Sequence, residues 1–238
     1  MKRRGIFLTG TDTGAGKTLV SCAILAALRK RGIRVAAYKP VETGCRSAGG
    51  ELVGEDCVRL AAASGQNAED VAAYRFREPA APLVAAEAEG AVIRRDVLLE
   101  HFRAIADSVD FVLVESAGGL MVPLAASCTT RDLAEALALP VVCVVASRLG
   151  CINHALLTFQ ALRSSSLFPA GFVMNRVSAD HADDEFALAS ATNRAVIGRF
   201  AGARDLGEMP FVDAAQRDDI DHLAALAEEH LELDAISA

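Results

Sequence analysis

The sequence lacks any uncharged apolar stretch of the roughly 18 residues that a membrane-spanning helix requires. Its charged opening, Met1 to Arg4, resembles the start of a signal peptide, but the apolar run that follows stops at Thr9-Gly10. That run of about four residues is too short for the hydrophobic region of a signal peptide. We therefore expect a soluble, cytoplasmic protein with no membrane partner.

An excess of positive charge is also absent. The chain has 24 basic and 31 acidic residues, which gives a formal net charge of -7. A protein that binds nucleic acid needs positive charge to neutralise phosphates, so this balance disfavours nonspecific binding except through a local basic patch. We expect no nucleic-acid partner.

The cysteines include no Cys-x-x-Cys pair, the tight spacing that is typical of structural zinc sites. In a cytoplasmic protein, cysteines without such a pattern are expected to be free thiols, several of them buried in the core. The six are Cys22, Cys45, Cys57, Cys128, Cys143 and Cys151.

Hydrophobic residues make up 52% of the 238 residues and charged residues 23%, which is typical of a globular protein with one sizeable core. Short β-rich segments alternate with segments of helical spacing. The predicted strands are Ile6–Thr9, Arg34–Tyr38, Phe111–Val114, Val141–Ala146, Gly171–Met174 and Val196–Phe200. The predicted helices are Lys17–Arg31, Glu55–Ala63, Arg95–Asp107, Arg131–Ala138, Ile152–Arg163, Asp183–Asn193 and Ile220–Leu233. This alternation predicts a single α/β domain over residues 1–238, a mostly parallel sheet with helices on both faces.

Two segments do not fit the alternating pattern. Cys45–Val53 is rich in glycine and serine and is expected to be a mobile loop. Arg75–Gly90 contains two prolines and many alanines and is expected to be an ordered but irregular crossover. No internal repeat and no linker long enough to separate domains is found.

A glycine-rich loop follows the first predicted strand, with the sequence GTDTGAGKT over residues 10–18. Strict phosphate-loop spacing requires a glycine at the second position, which is a threonine here. Gly14 and Gly16 still allow backbone N–H groups to turn towards phosphate oxygens at the start of a helix. Lys17 can reach the β- and γ-phosphates, and the hydroxyl of Thr18 can bind Mg²⁺. The loop predicts triphosphate binding and a fold of the P-loop NTPase type.

The end of this loop also resembles the loops of partitioning and ion-pump ATPases. Those loops carry a lysine two residues before the position of Gly14, and this chain has Asp12 there. We interpret Asp12 as an argument against that branch of ATPases.

Acidic residues suited to a metal ion lie further along the chain. Residues 110–115, DFVLVE, predict a buried strand that ends in the carboxylate of Glu115. A hard cation with octahedral geometry would take Thr18, Glu115, phosphate oxygens and water. From the residues alone, Asp56 is better explained as an acid that stabilises the start of a helix than as a metal ligand.

Asn175 follows an apolar strand, and its amide can both donate to and accept from the edge of adenine. An asparagine in a turn after a strand is the alternative explanation. A GTPase motif, Asn-Lys-x-Asp, would need lysine at 176 and aspartate at 178. The chain has Arg176 and Ser178, so ATP is favoured over GTP.

Lys39 follows the second predicted strand and is expected at the same ligand-binding edge of the sheet. A lysine there could stabilise a transferring phosphoryl group, although a lysine at a strand end is commonly only solvated. Residues 149–154, LGCINH, lead into a helix whose free N–H groups suit a carboxylate. Cys151 is not expected to be a nucleophile because no base partner is found.

Together these segments resemble the dethiobiotin synthetase family, ATP-dependent carboxylases that close the ureido ring on the way to biotin. The matching motifs are TGTDT (9–13), GKT (16–18), YKPV (38–41), ExAGG (115–119), PL (123–124), LGCINH (149–154), Asn175 and GEMP (207–210). Residues 74–82, YRFREPAAP, resemble the substrate-side segment of that family. The resemblance implies a ligase of P-loop NTPase fold that forms a homodimer with active sites at the interface. Its substrates would be ATP, CO₂ and 7,8-diaminononanoate.

The resemblance also implies which residues form the site. The catalytic residues would be Thr13, Lys17 and Lys39. The ATP-binding residues would be Gly14, Ala15, Gly16, Lys17, Thr18, Leu19, Asp56, Glu115, Ser116, Ala117, Gly118, Asn175, Arg176 and Glu208. The Mg²⁺ ligands would be Thr18, Asp56 and Glu115. The substrate-binding residues would be Thr43 together with Gly150, Cys151, Ile152 and Asn153 of the opposite subunit.

In the implied reaction, one amine captures CO₂ as a carbamate, and the γ-phosphate of ATP activates that carbamate as a mixed anhydride. The second amine then closes the ring and releases phosphate. Free amines are their own nucleophiles, so no Ser-His-Asp arrangement is needed. Catalysis would consist of positioning and charge neutralisation.

Four departures from the family pattern are present. Gly14 stands where some relatives have glutamate, Thr43 replaces a serine, and Leu120 replaces an aromatic residue. Residues 201–204 lack the proline-containing segment that we expect beside the adenine.

Two rival functions are disfavoured. An amidotransferase-type synthetase would need a glutaminase domain, for which we expect no room in these 238 residues. A nucleotide-switched ATPase that moves a partner is disfavoured by Asp12 and by the acidic balance.

Overall fold

Six strands form one parallel sheet in the computed structural model, which describes residues 4–179 and 184–238. All strands of that part of the chain are β1 (Arg4–Gly10), β2 (Val35–Tyr38), β3 (Val41–Thr43), β4 (Arg46–Ala48), β5 (Glu51–Val53), β6 (Tyr74–Phe76), β7 (Phe111–Gly119), β8 (Pro123–Ala125), β9 (Cys128–Thr129), β10 (Val141–Ala146), β11 (Pro169–Asn175) and β12 (Asp205–Met209). The order across the main sheet is β12-β11-β10-β1-β7-β2, and every neighbouring pair is parallel. The predicted parallel α/β sheet is confirmed.

Helices pack on both faces of this sheet, as predicted. They are α1 (Lys17–Lys30), α2 (Glu55–Ser64), α3 (Ala68–Val71), α4 (Pro82–Ala88), α5 (Arg95–Ala106), α6 (Thr130–Leu137), α7 (Cys151–Arg163), α8 (Asp184–Ala201), α9 (Ile220–His230) and α10 (Leu233–Ile236). Within the described ranges, none of them has both the length and the apolar character that a bilayer span requires.

The core is divided by the sheet into two layers. Ile6 and Leu8 pack into the layer that contains α1, α2 and α9, whereas Phe7 packs into the layer that contains α5, α7 and α8. Successive residues of a strand point to opposite faces, so β1 must be apolar at consecutive positions. This requirement explains why the continuous apolar runs of the central strands, such as β1 and β10, predicted strands correctly.

The loops that matter for ligand binding lie at the carboxyl edge of the sheet. Thr11–Gly16 follows β1, Lys39 follows β2, Ser147–Gly150 follows β10 and Arg176 follows β11. In a parallel sheet these loops meet at one edge, where α/β proteins bind their ligands.

The predicted strand Val196–Phe200 is wrong, because this segment lies inside α8. Its buried residues, Asn193, Ile197 and Ala201, recur every four positions, which is helical spacing and not alternation. The sixth strand is instead β12, which no apolar run marks. Of the helix predicted over Asp183–Asn193, Asp183 lies outside the described residues.

The two unassigned segments contain regular structure. Within Cys45–Val53, β4 and β5 form an exposed antiparallel hairpin. Its turn is Gly49-Gly50 with φ of 62° and 92°, the positive values that two-residue hairpin turns require. Arg75–Gly90 contains the end of β6 and all of α4, which begins with a proline at its first turn.

Candidate active site

The glycine-rich loop forms an anion-binding turn at the amino end of α1. Gly14 and Gly16 have φ of 80° and 84°, and Gly16 is the N-cap of α1 without a side-chain cap. The first N–H groups of α1 are therefore available to a ligand, and the helix dipole adds positive character there. This geometry fits the predicted phosphate site.

Lys17 is the first residue of α1 and is buried. Its Nζ donates to the backbone oxygen of Asp12 at 3.3 Å, inside the curve of the loop. Burial lowers the pKa of Lys17, and the charge of Glu115 partly opposes this effect. An anion bound within the loop would compensate the same desolvated charge.

An ion pair between Asp12 and Arg148, which the sequence analysis did not predict, links the glycine-rich loop to the loop after β10. Arg148, in the loop after β10, places Nη2 2.6 Å from Asp12 Oδ2, and Asp12 Oδ1 accepts the backbone N–H of Thr13 at 2.7 Å. Burial acts to raise the pKa of the Asp12 carboxyl, but Arg148 outweighs it and lowers this pKa. Arg148 lies 136 positions from Asp12, so no local pattern could have linked them.

A second cluster surrounds the ammonium of Lys39. Its Nζ lies 2.5 Å from Asp56 Oδ2 and 2.7 Å from Glu115 Oε1. Burial opposes the charge of Lys39, but Glu115 and Asp56 outweigh it and raise the pKa of Lys39. Burial likewise acts to raise the pKa of Asp56, and Lys39 lowers it below its usual value. Lys39 is thus a charged, paired lysine and not a solvated one.

Glu115 is fully buried, so it is not a surface carboxylate. Besides Lys39, it accepts the hydroxyl of Thr18 at 2.9 Å on Oε1 and that of Ser21 at 2.7 Å on Oε2. Ser21 was not predicted, although its position three residues after Thr18 puts both hydroxyls on one side of α1.

Thr18, Asp56 and Glu115 offer one hydroxyl and two carboxylates around a position where Lys39 now supplies the positive charge. Hard oxygen donors of this kind fit Mg²⁺. Within the described ranges, no three His, Cys, Asp or Glu side chains form a metal site by themselves. A Mg²⁺ ion here would therefore need oxygens from a bound phosphate and from water.

A cavity of about 720 Å³ opens over this cluster, within the size range of small-molecule sites. The predicted site residues that line it are Thr13, Gly14, Gly16, Lys17, Thr18, Leu19, Lys39, Thr43, Asp56, Ala117, Gly118, Asn175 and Arg176. Ala15, Glu115 and Ser116 are buried behind this lining. Pro79 and Pro82 also line the cavity, which places the predicted crossover segment beside it.

Asn175 is 2% exposed, and its Nδ2 donates to Ala15 O at 3.0 Å. A Cβ on Gly16 would lie 2.0 Å from that nitrogen, so the close approach requires glycine. Asn175 Oδ1 has no hydrogen-bond partner in the described part of the chain. A buried acceptor without a partner is costly, and an amino group of a bound base would satisfy it.

Glu208 does not line the cavity. Its Oε1 accepts from Arg176 Nε at 2.8 Å, and Arg194 lies 3.6 Å from Oε2, so Glu208 contacts the cavity only through Arg176. Residues 201–204, where we expected an adenine-side segment, do not line it either. Val212 and Arg217 line it instead, in the segment that begins with Pro210 after β12. The expectation was misplaced because β12 was missed.

Gly150, Cys151, Ile152 and Asn153 form the uncapped amino end of α7, but none of them lines the cavity. Burial raises the pKa of the Cys151 thiol, which accepts a hydrogen bond from Asn193 at 3.3 Å. An activated nucleophile needs the opposite shift, a lowered pKa.

A parallel sheet, a phosphate loop and a buried acidic strand end define a P-loop nucleoside triphosphatase. A family model described as an AAA domain matches residues 4–217. ATP-dependent dethiobiotin synthetase BioD of Anaeromyxobacter dehalogenans (strain 2CP-C) is 41% identical over 219 residues, which cover 90% of this chain and 93% of that relative. The same enzyme of Aromatoleum aromaticum (strain DSM 19018 / LMG 30748 / EbN1) is 39% identical over 214 residues, covering 89% and 92%. The chain belongs to the ATP-dependent dethiobiotin synthetase family, a family of ATP-dependent ligases.

Solved structures of more distant proteins share the fold. A ParA family ATPase from Chlorobium tepidum TLS has a TM-score of 0.54 at 13% identity over 95% of this chain and 92% of that one. The MinD cell division protein of Aquifex aeolicus has a TM-score of 0.54 at 17% identity over 98% and 93%. At these identities the likeness concerns the fold alone.

Proposed function

We propose that this protein is an ATP- and Mg²⁺-dependent ligase that converts 7,8-diaminononanoate and CO₂ into dethiobiotin, ADP and phosphate, a step of biotin biosynthesis. Its relatives carry the name of that activity. The observation that carries the proposal is the pair of buried lysines, Lys17 and Lys39, on one cavity large enough for a nucleotide and a second substrate.

The reaction has three bond-forming steps. One amine of the substrate attacks the carbon of CO₂ and loses a proton, which gives a carbamate. A carbamate oxygen then attacks the γ-phosphorus, and ADP leaves with the electrons of the broken P–O bond. The second amine attacks the carbamoyl carbon and loses a proton, the ring closes, and phosphate leaves with the oxygen that joined it to carbon.

Both substrate amines are nucleophiles, so the protein needs to supply position and positive charge. We assign to Lys17 the phosphates of ATP and to Lys39 the charge shared between the carbamate and the transferred phosphoryl group. Thr13 and Thr43 line the same cavity and would bind the carbamate region. Buried ammonium groups act strongly there because little water screens them.

Thr18, Asp56 and Glu115 would hold Mg²⁺, which neutralises phosphate charge when bound. The ammonium of Lys39 contacts the carboxylates of both Asp56 and Glu115 and compensates their negative charge. At the base end, the unpartnered oxygen of Asn175 would accept the amino group of adenine. Arg176, held by Glu208, would complete that end.

We further propose a homodimer with shared active sites. The uncapped amino end of α7 suits the carboxylate tail of the substrate, but residues 150–153 do not face the cavity of their own subunit. Leu149 and Leu157, on either side of that helix end, are 77% and 61% exposed, as expected for a surface that a second subunit covers.

The test is incubation of the protein with ATP, Mg²⁺, labelled bicarbonate and 7,8-diaminononanoate. The proposal expects acid-stable label in a cyclic urea, with one phosphate released for each ring. A matched reaction with the monoamine 7-aminononanoate should yield no acid-stable product, because the second nucleophile is missing. Phosphate release at equal rates with and without the diamine would overturn the proposal.

A further inference from the structure

Glu42 is a buried carboxylate that the proposed reaction does not use. It lies on β3, three residues after Lys39 and next to Thr43, and it is 5% exposed. It lines the cavity, yet it forms no ion pair in residues 4–179 and 184–238. A buried carboxylate without a cation must be stabilised in another way.

The stabilising partner is the amino end of α2. Glu42 Oε1 accepts the backbone N–H of Asp56 at 2.9 Å, and Oε2 accepts that of Cys57 at 2.9 Å. The N-cap of this helix, Gly54, supplies no side-chain cap. Glu42 therefore satisfies two of the free N–H groups of α2 from another strand and places its charge at the positive end of the helix dipole.

Gly54 provides independent support for this contact. Its φ of -94° and ψ of 129° are values that any residue can adopt, so the backbone does not require glycine. A Cβ at Gly54 would, however, lie 2.1 Å from Glu42 Oε2. The sequence thus leaves out a side chain at a position where it would displace the Glu42 carboxylate.

The contact reaches the catalytic cluster through Asp56. Glu42 holds the backbone nitrogen of this residue, and the carboxylate of the same residue lies 2.5 Å from Lys39 Nζ. Lys39 and Glu42 belong to one short segment. Asp56 fixes α2 to this segment twice, through its backbone N–H to Glu42 and through its carboxylate to Lys39.

We infer that Glu42 is a positioning residue: by accepting the N–H groups of Asp56 and Cys57, it fixes the Asp56 carboxylate in the orientation that binds the metal ion. This inference rests on the proposed function, since it takes Asp56 as a ligand of Mg²⁺. Loss of a residue that orients a metal ligand commonly weakens metal binding by about 10–100-fold.

The first experiment measures Mn²⁺ binding by electron paramagnetic resonance, with the non-hydrolysable analogue AMP-PNP present. In Glu42→Gln, an amide nitrogen replaces one acceptor and faces an N–H donor, so we expect Mn²⁺ affinity to fall at least about 10-fold. Glu51→Gln, a change at an exposed carboxylate of β5, should leave the affinity unchanged. Equal affinities for Glu42→Gln and the unchanged protein would overturn the inference.

Activity supplies a readout that a merely structural role would not move. The Mg²⁺ concentration for half-maximal turnover should rise at least about 10-fold in Glu42→Gln, while turnover at saturating Mg²⁺ recovers to within about 3-fold. A lower maximal turnover with an unchanged Mg²⁺ dependence would contradict the inference. If the unchanged protein turns over but binds no Mn²⁺, the metal assignment and this inference both fail. If the unchanged protein binds Mn²⁺ and Glu42→Gln binds it with the same affinity, the inference about Glu42 fails and the metal assignment stands.

A double-mutant cycle tests the contact without any metal. Gly54→Ala should lower the melting temperature clearly in the unchanged protein, because the new methyl group overlaps the Glu42 carboxylate. In a Glu42→Ala background the same methyl group has room, so Gly54→Ala should be nearly neutral. Equal effects in both backgrounds would overturn the structural basis of the inference.

Discussion

The ammonium of Lys39 lies 2.7 Å from the fully buried carboxylate of Glu115. In an interior of low dielectric, a buried charged group is costly unless a group of opposite charge compensates it. The same ammonium also contacts Asp56, so one lysine joins the strand-end acid to the start of α2.

Lys39→Ala should reduce turnover by about 10²–10³-fold and change ATP affinity by only a few fold, because Lys39 is assigned to charge that develops during transfer. Single-turnover kinetics and nucleotide titration measure the two quantities separately. Lys30→Ala, at an exposed lysine paired with Asp221, is the control and should change neither. Equal losses in turnover and affinity would refute the assigned role.

Glu115→Gln should destabilise the protein by about 2 kcal/mol or more. Removing one partner of a buried ion pair costs about 3–5 kcal/mol, and here Lys39 keeps Asp56 as a second partner. Urea unfolding without nucleotide or metal measures this free energy. Glu100→Gln, on the exposed side of α5, should stay within about 0.5 kcal/mol. A loss as small as that control would show that the cluster is not a stabilising unit.

Gly16→Ala should abolish nucleotide binding, because its Cβ would lie 2.0 Å from Asn175 Nδ2. Gly32→Ala is a matched control, since Gly32 has a φ of 82° against 84° for Gly16 but has open space around it. Both substitutions place an alanine at a positive φ, which costs about 1 kcal/mol. Only Gly16→Ala also displaces Asn175. Fluorescent-nucleotide titration should therefore separate them, and similar affinities would contradict the structure.

The Asp12–Arg148 pair predicts a dependence on pH. Arg148 lowers the pKa of Asp12 below its ordinary 3.8, so the pair stabilises the fold above that value and loses its effect as pH falls through the folded-state pKa. Both side chains are about half exposed, so the stabilisation is at most about 1 kcal/mol. The free-energy difference between the unchanged protein and Arg148→Ala should be present at pH 7, shrink below pH 3.8 and decrease with salt. A constant difference across this range would disprove it.

Most of the fold could be predicted because its central strands are buried on both faces, and segments such as Val141–Ala146 are therefore apolar throughout. β12 could not be found in this way. Its sequence DLGEM contains two acids and a glycine, and it lies at the edge of the sheet. The segment Val196–Phe200 was taken for a strand in its place, although its buried positions follow the period of a helix.

In the candidate site, too, local sequence patterns could be predicted and contacts between distant residues could not. The phosphate loop and the acid of β7 are local patterns, and their geometry agrees with what the sequence indicated. Glu42, Ser21 and Arg148 act by contacts with residues that are 14, 94 and 136 positions away, so no spacing along the chain could indicate them. Such contacts become visible only when the sheet brings the segments together.

In the proposed reaction, a carbamate oxygen attacks the γ-phosphate of ATP. Freshly prepared ¹⁸O-labelled bicarbonate, with ATP, Mg²⁺ and 7,8-diaminononanoate, tests it directly in a short reaction followed by mass spectrometry. We expect one labelled oxygen in the released phosphate for each ring closed, because the oxygen that joins phosphorus leaves with it. Unlabelled phosphate beside a labelled cyclic urea would contradict the mixed anhydride and with it the role of Lys39.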